Sequence, residues 1–160
     1  MGYLFDTNIF ITSKNQLPYD VWPTFWRHIA ELIRNGRIFS NEKVREEIER
    51  GNDELTTWMR ENSTATFYIP LDSDILDQYA ITQNWANNNS IFTQEARQTY
   101  ADVADAYLVA TAAAKKMVLV TYERSNPTCR RRVMIPDACQ ALDVEYCDLN
   151  IALRKLGIII

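Results

Sequence analysis

The sequence contains few glycines, prolines and cysteines. Four glycines and five prolines among 160 residues exclude collagen-like and low-complexity classes. Three cysteines, Cys129, Cys139 and Cys147, are odd in number and form no C-x-x-C pair. They predict neither a disulfide framework nor a zinc knuckle, and they favour a reducing cytoplasm. The single histidine, His28, excludes a histidine-rich metal site.

The sequence also lacks a basic excess and long apolar runs. It has 17 Lys and Arg against 21 Asp and Glu, a net charge of −4, so no overall basic field marks a nucleic-acid binder. No apolar run reaches about 18 residues, and the N-terminus has no secretory pattern, so we expect neither a membrane span nor a leader. G-x-G-x-x-G and P-loop motifs are absent, which disfavours nucleotide-cofactor enzymes.

Short apolar runs alternate with helical patterns along a chain that is 47% hydrophobic. This alternation predicts one domain, residues 1–160, with an α/β/α three-layer sandwich around a mainly parallel sheet. The helix from Asp20 to Asn35 has an apolar stripe, and the segment 94–116 is expected to break near Tyr100. The expected strands are 3–5, 37–39, 67–69, 117–120 and 133–135, and the other helices are 41–49, 53–61, 72–84, 137–142 and 148–156. The apolar tail, 157–160, is expected to pair as an edge strand or to pack against a partner.

Acidic residues stand where predicted strands end. Asp6 follows the first strand and Glu123 follows the strand at 117–120. The carboxyl ends of parallel strands share one edge of a sheet, where ligands bind in open α/β folds. Asp102 and Asp105 are three residues apart in an Ala-rich helical segment, hence on one predicted face. Glu47 borders the apolar face of the helix 41–49.

Each acid also has a structural interpretation: Asp6 as a turn or helix cap, Glu47 as a solvated charge, and Glu123 as the start of a polar loop. Together these carboxylates are expected to raise one another's pKa. An oxygen-only set without His or Cys suits Mg²⁺ or Mn²⁺.

The motifs Phe5-Asp6-Thr7-Asn8, Glu47, Asp105-Ala106-x-Leu108-x-Ala110 and Val118-x-Val120-Thr121-x-Glu123 follow one another in this order. The ordered set, over essentially the whole chain, resembles the PIN-domain family. The resemblance implies a metal-dependent ribonuclease, of which many are VapC-type toxins with a co-transcribed antitoxin and often a dimeric state. It implies catalytic and metal-binding roles for Asp6, Glu47, Asp105 and Glu123, the last standing where the family more often has Asp. Asn8 and Thr121 match a polar pair that supports the acids, and Asp102 is an additional candidate ligand.

A basic segment follows Glu123. Arg124, Arg130, Arg131 and Arg132 are either solvated or contact the RNA backbone. The aromatic helix that begins near Trp22 belongs mostly to the core and is also a candidate dimer or antitoxin contact. A phosphatase of the haloacid-dehalogenase type fits less well, because it needs a second Asp where this sequence has Asn8. A receiver domain also fits less well, because it needs a Lys after a Thr or Ser at a strand end, and Thr121 is followed by Tyr122 and Glu123. A catalytically silent PIN-like binding module remains the alternative from another class.

Overall fold

The computed structural model describes residues 2–160. Within them, five short strands alternate with nine helices. The strands are β1 (Tyr3–Phe5), β2 (Ile38–Asn41), β3 (Tyr68–Ile69), β4 (Val118–Val120) and β5 (Tyr146–Cys147). The helices are α1 (Thr7–Gln16), α2 (Pro23–Arg34), α3 (Glu42–Gly51), α4 (Glu54–Asn62), α5 (Ser73–Asn88), α6 (Gln94–Asp102), α7 (Ala104–Lys115), α8 (Ile135–Ala141) and α9 (Leu149–Lys155).

The strands form one parallel sheet in the order β3-β2-β1-β4-β5. Tyr3 of β1 is in register with Ile38 of β2 and with Val118 of β4. The chain builds one half of the sheet outward from β1 and then crosses to the other side of β1 to add β4. The boundary between β1 and β4 is therefore the point at which the strand order reverses, where ligands bind in open α/β sheets. The predicted α/β/α sandwich is confirmed.

Apolar residues from the sheet and the surrounding helices form the core. Leu4 and Phe5 of β1 and Leu119 and Val120 of β4 are fully buried. Such continuous apolar runs are typical of strands that helices cover on both faces. The predicted apolar stripe of α2 is confirmed, since its aromatic and aliphatic side chains Phe25, Trp26, Ile29, Leu32 and Ile33 are all buried.

Polar side chains cap the helices at several predicted starts. Asn41 caps α3, Asp53 caps α4, Asp72 caps α5 and Asp148 caps α9, each accepting a backbone N–H of the first turn. The expected cap at Asp20 is wrong, because α2 begins at Pro23 after Trp22. Proline at the first helical position has no N–H that would need a partner.

Two elements were not predicted. Helix α1 has buried residues, Thr7, Ile9, Phe10 and Ser13, that leave little apolar periodicity in the sequence. The two-residue strand β5 is too short to show a pattern.

Two expected strands are not formed. The segment 133–135 is not a strand: Ile135 begins α8, and Pro136 cannot donate to a β-ladder. The tail after α9 is not an edge strand, and Ile159 is 89% exposed, so packing of the tail against a partner stays a prediction.

The expected break in the long helical segment is present, at Val103, three residues after Tyr100. Val103 is extended (φ −93°, ψ 169°) and separates α6 from α7. Tyr100 is inside α6, where its buried hydroxyl is 2.7 Å from the hydroxyl of Thr82. Within residues 2–160, none of the helices combines the length and apolarity that a membrane crossing requires.

The buried cap of α3 is expected to contribute measurably to stability. Asn41 Oδ1 accepts the Val44 N–H at 3.0 Å, and Asn41 Nδ2 donates to Thr111 Oγ1 at 3.4 Å. Asn41→Ala should lower the free energy of unfolding by about 1–2 kcal/mol in denaturant titrations, and Asn41→Ser should recover part of that loss. Asn35→Ala, at the exposed end of α2, is the control and should change it by less than about 0.5 kcal/mol. Equal effects at both positions would contradict a specific capping role.

Candidate active site

Asp6 lies directly after β1 and begins α1. Its Oδ1 accepts the backbone N–H of Asn8 at 3.5 Å, and its Oδ2 accepts the Thr121 hydroxyl at 3.0 Å. The side chain is 1% exposed. The helix-cap interpretation of Asp6 is therefore correct. Asp6 also lies where the strand order reverses, and its hydrogen bond with Thr121 connects it to the residue that follows β4.

Asp105 and Glu123 reach the same edge from two other elements. Asp105 lies in the first turn of α7, where the positive end of the helix dipole favours a carboxylate. Glu123 follows β4, and its Oε1 accepts the N–H of Ile135 at 3.4 Å. Their side chains are 17% and 9% exposed. Glu123 Oε2 is buried and has no hydrogen-bond partner, so an unsatisfied acceptor remains in the site.

Glu47 joins the group from α3 through two hydrogen bonds. Its Oε1 accepts the N–H of Ala104 at 2.9 Å, and its Oε2 accepts the hydroxyl of Thr7 at 2.9 Å. Val103 provides no side-chain cap, so Glu47 supplies the acceptor for the start of α7. The interruption at Val103 thus presents a free N–H to Glu47 and fixes the helix that carries Asp105. We call Asp6, Glu47, Asp105 and Glu123 the carboxylate cluster.

The guanidinium of Arg132 enters the carboxylate cluster. Arg132 Nη2 is 3.3 Å from Glu123 Oε1 and 3.7 Å from Asp105 Oδ2. Sequence analysis placed Arg132 with the arginines that are either solvated or contact RNA, and it did not predict this pairing with the acids. The residue itself could have been noticed, but its pairing could not, because the segment 121–134 has no regular pattern that predicts its path.

Burial raises the pKa values of Asp6, Asp105 and Glu123, and the charges of neighbouring acids raise them further. For Asp6, burial and then the charge of Glu123 raise the pKa to about 7, against hydrogen bonds from Thr121 and Asn8. For Asp105, burial and then the charges of Asp6 and Glu123 raise the pKa to about 7, with Arg132 opposing the rise. Burial also raises the pKa of Glu123, again with Arg132 opposing it.

Asp102 is not part of this group. It ends α6, on the far side of the interruption at Val103, and its side chain is exposed. The prediction that Asp102 and Asp105 share one helix face is wrong, because they belong to different helices. Burial raises the pKa of Tyr79 to about 12, with smaller contributions from Tyr107 and from the charge of Asp102. The rings of Tyr79 and Tyr107 stack, with their centroids 4.3 Å apart.

The structure also places the predicted supporting residues, Asn8 and Thr121, and the predicted RNA-contacting arginines. The Thr121 hydroxyl donates to Asp6 and accepts the N–H of Glu123 at 3.1 Å, so Asp6 is the acid whose side chain it positions. The side chain of Asn8 is exposed, and it is the backbone of Asn8 that contacts Asp6. Arg124, Arg130 and Arg131 are exposed, so their predicted role as RNA contacts stays a prediction.

The donor set fits a hard divalent cation. All candidate ligands are carboxylate oxygens, which suit Mg²⁺ or Mn²⁺, and the unpartnered Glu123 Oε2 offers a free acceptor. Within residues 2–160, no three Asp, Glu, His or Cys side chains already form a cage for a metal ion. The positive charge nearest to Asp105 and Glu123 is the guanidinium of Arg132.

Comparisons with known proteins show the likeness of the fold and the family of the chain. The crystal structure of FitAcB from Neisseria gonorrhoeae superposes with a TM-score of 0.52 and 19% identity, covering 90% of this chain and 95% of that chain. At this identity the likeness concerns the fold. The model of a family described as "Domain of unknown function (DUF4411)" matches residues 3–160, so the chain belongs to that family. No curated protein matches the sequence.

The raised pKa values predict a stability that falls as pH rises. Asp6 and Asp105 have a pKa of about 7 in the folded chain and about 4 in an unfolded one. The folded chain therefore binds more protons between these values, and it loses stability as pH increases through that window. In EDTA, thermal melts should show a more stable protein near pH 5.5 than near pH 7.5.

Asp105→Asn should flatten that dependence and stabilise the protein in EDTA by about 1 kcal/mol near pH 7.5, since it removes a buried charge at nearly constant volume. Asp102→Asn, at the exposed neighbouring acid, is the matched control and should leave the melts unchanged. If Asp105→Asn destabilises the protein in EDTA, Asp105 is a structural helix residue outside a repelling cluster.

Arg132 is expected to reduce the electrostatic repulsion between the carboxylates of this cluster. In EDTA, Arg132→Gln should steepen the fall in stability with pH, because the pKa values of Asp105 and Glu123 then rise further. The loss near pH 7.5 should be about 0.5 kcal/mol, since the arginine is half exposed. Arg131→Gln, the exposed neighbour, is the control. Melts that do not distinguish the two variants would contradict the ion pairs.

Proposed function

We propose that this protein is a metal-dependent endoribonuclease that hydrolyses RNA phosphodiester bonds. The observation that carries the proposal is the carboxylate cluster at the reversal of strand order, with three acids buried against one another. A fold gains nothing from burying like charges unless a bound cation or a reaction compensates their repulsion. The resemblance of the ordered motifs to PIN domains supports the same activity.

Mg²⁺ or Mn²⁺ would be held by Asp6, Asp105 and Glu123, with Glu47 beside them. When bound, the cation supplies positive charge to the phosphate and helps to activate water. The Thr121 hydroxyl fixes the rotamer of Asp6, and Glu47 fixes the first turn of α7 and hence Asp105.

Local basic charge supports a nucleic-acid substrate for a protein with a net charge of −4. Arg124, Arg130 and Arg131 are exposed in the segment that follows Glu123. Arginines at this position can contact phosphates on either side of the cleaved bond and release their counterions. Arg132, held by Asp105 and Glu123, is close enough to the cluster to reach the phosphate itself when a cation replaces it as their counter-charge.

The biological setting that we propose is the toxin of a toxin–antitoxin pair, acting in the cytoplasm as a homodimer. The PIN-like fold and the VapC-type motifs support it, as does the absence of disulfides among the three cysteines. Val21 and Trp22 before α2 are 65% and 45% exposed. These two side chains are exposed where α2 begins, and an antitoxin or a second copy could contact them there. Phe25 and Trp26 of α2 are not available for such a contact, because they are buried in the core.

A second candidate is a PIN-like module that binds RNA or protein without catalysis. The observation in its favour is the guanidinium of Arg132 among the acids, which neutralises part of their charge without a metal. Its exposed position, with the side chain 51% exposed, allows it to leave. All four acids of the family pattern are also present, which favours the enzyme.

A cleavage assay distinguishes the two candidates. Purified protein should cleave single-stranded RNA with Mg²⁺ or Mn²⁺, and EDTA or Asp105→Asn should abolish the cleavage, by at least about 100-fold. Asp102→Asn is the matched control, an exposed acid three residues away, and should retain activity. Cleavage that survives both EDTA and Asp105→Asn would refute the metal mechanism. RNA binding without cleavage at any metal concentration would favour the binding module.

A further inference from the structure

A groove opens where β4 and β5 end, beside the carboxylate cluster. The two strands are parallel, with Leu119 in register with Tyr146 and Val120 with Cys147, so both release the chain at the same edge of the sheet. The chain then leaves in different directions, into the segment 121–134 and into α9. The space between them has a volume of about 370 Å³, within the range of small-molecule sites. We call it the β4–β5 groove.

The walls of the β4–β5 groove include unusually exposed apolar side chains. Tyr122 is 40% exposed, Tyr146 is 37% exposed and Ile151 is 39% exposed, and all three line the groove. Most large apolar residues of the chain are in the core. Exposed aromatic rings at a concave surface provide faces on which nucleobases stack irrespective of sequence.

One basic side chain, Arg124, and two acidic ones, Glu123 and Asp148, line the groove. Arg124 is exposed, so its guanidinium is available to a phosphate. Asp148 caps α9 by accepting the N–H of Ile151 at 2.9 Å. An arginine beside aromatic rings is the usual combination in sites for single-stranded nucleic acid.

The groove is continuous with the carboxylate cluster. Thr121 lines the groove and donates its hydroxyl to Asp6. Glu123 also lines it and contacts Arg132. A strand whose phosphodiester lies at the acids would therefore place an adjacent nucleotide in this groove.

We infer that the β4–β5 groove binds a base of single-stranded RNA, stacked on Tyr122 or Tyr146, next to the bond that the carboxylate cluster cleaves. The inference rests on the proposed function for the identity of the ligand. It adds a binding subsite, and it selects unpaired over duplex RNA because a paired base cannot enter the groove. The contact is independent of base sequence, since it uses ring faces.

The test compares variants that remove a ring with variants that keep it. Tyr146→Leu and Tyr122→Leu should weaken the binding of a single-stranded oligoribonucleotide in EDTA about tenfold each, whereas Tyr146→Phe and Tyr122→Phe should bind almost like wild type. Ile81→Ala removes an exposed apolar side chain of α5, outside the groove, and should have no effect. With metal, the Leu variants should raise KM and leave kcat nearly unchanged.

The outcomes separate this inference from the proposed function. Cleavage by wild type with unchanged binding and KM in both Leu variants overturns the groove and leaves the enzyme in place. Weaker RNA binding by the Leu variants, in a protein that never cleaves, supports the groove and overturns the enzyme. Unchanged RNA binding together with an altered oligomeric state of Tyr146→Leu, measured by light scattering, overturns the inference in favour of a protein-contact surface.

Cys147 provides a second readout that needs no substitution. It lines the groove and is half-buried, and burial raises the pKa of its thiol, so alkylation is best followed at mildly alkaline pH. In EDTA, saturating single-stranded RNA should slow its alkylation several-fold, and duplex RNA of the same sequence should not. Peptide mass spectrometry separates Cys147 from Cys129, which lies outside the groove. Bound RNA that leaves the Cys147 rate unchanged contradicts the inference.

Discussion

Repulsion among buried carboxylates is the constraint on which this site depends. Asp6, Asp105 and Glu123 come from three separate elements, and burial raises the pKa of each. The charge of Glu123 raises the pKa of Asp6 further, and the charges of Asp6 and Glu123 raise that of Asp105. The fold opposes this repulsion with a small number of groups: the Thr121 hydroxyl, the N-terminal end of α7, and the guanidinium of Arg132. The arrangement is unfavourable without a cation, and under the proposed function a bound cation would offset the repulsion and stabilise the folded chain.

The sheet order explains why these acids meet. The order of the strands reverses between the parallel strands β1 and β4. Asp6 and Glu123 follow the carboxyl ends of these two strands, so both lie at the crevice that such a reversal creates. The interruption at Val103 then adds Asp105, because Glu47 accepts the first N–H of α7 and so fixes where that helix begins. A continuous helix through 94–116 would not present this N–H. The backbone break is therefore part of the site.

Sequence reasoning reached the features that depend on local pattern. The strand β1, the apolar stripe of α2, the capped starts of α3 and α4 and the placement of Asp6 and Glu123 at strand ends follow from periodicity, capping chemistry and parallel topology. Helix α1 and strand β5 could not be predicted, because tertiary packing stabilises them where local pattern is weak. The pairing of Arg132 with Asp105 and Glu123 depends on the irregular path of residues 121–134, which no periodicity encodes.

The most direct test of the central claim is the titration of individual carboxylates by ¹³C NMR, with and without Mg²⁺. In EDTA, the side-chain carboxyl signals of Asp6 and Asp105 should titrate near pH 7, well above the value of about 4 that an aspartate has in an unfolded chain. Mg²⁺ should shift both midpoints downward, because a bound cation favours the ionised form. Midpoints near 4 for Asp6 and Asp105, unaffected by Mg²⁺, would contradict the account.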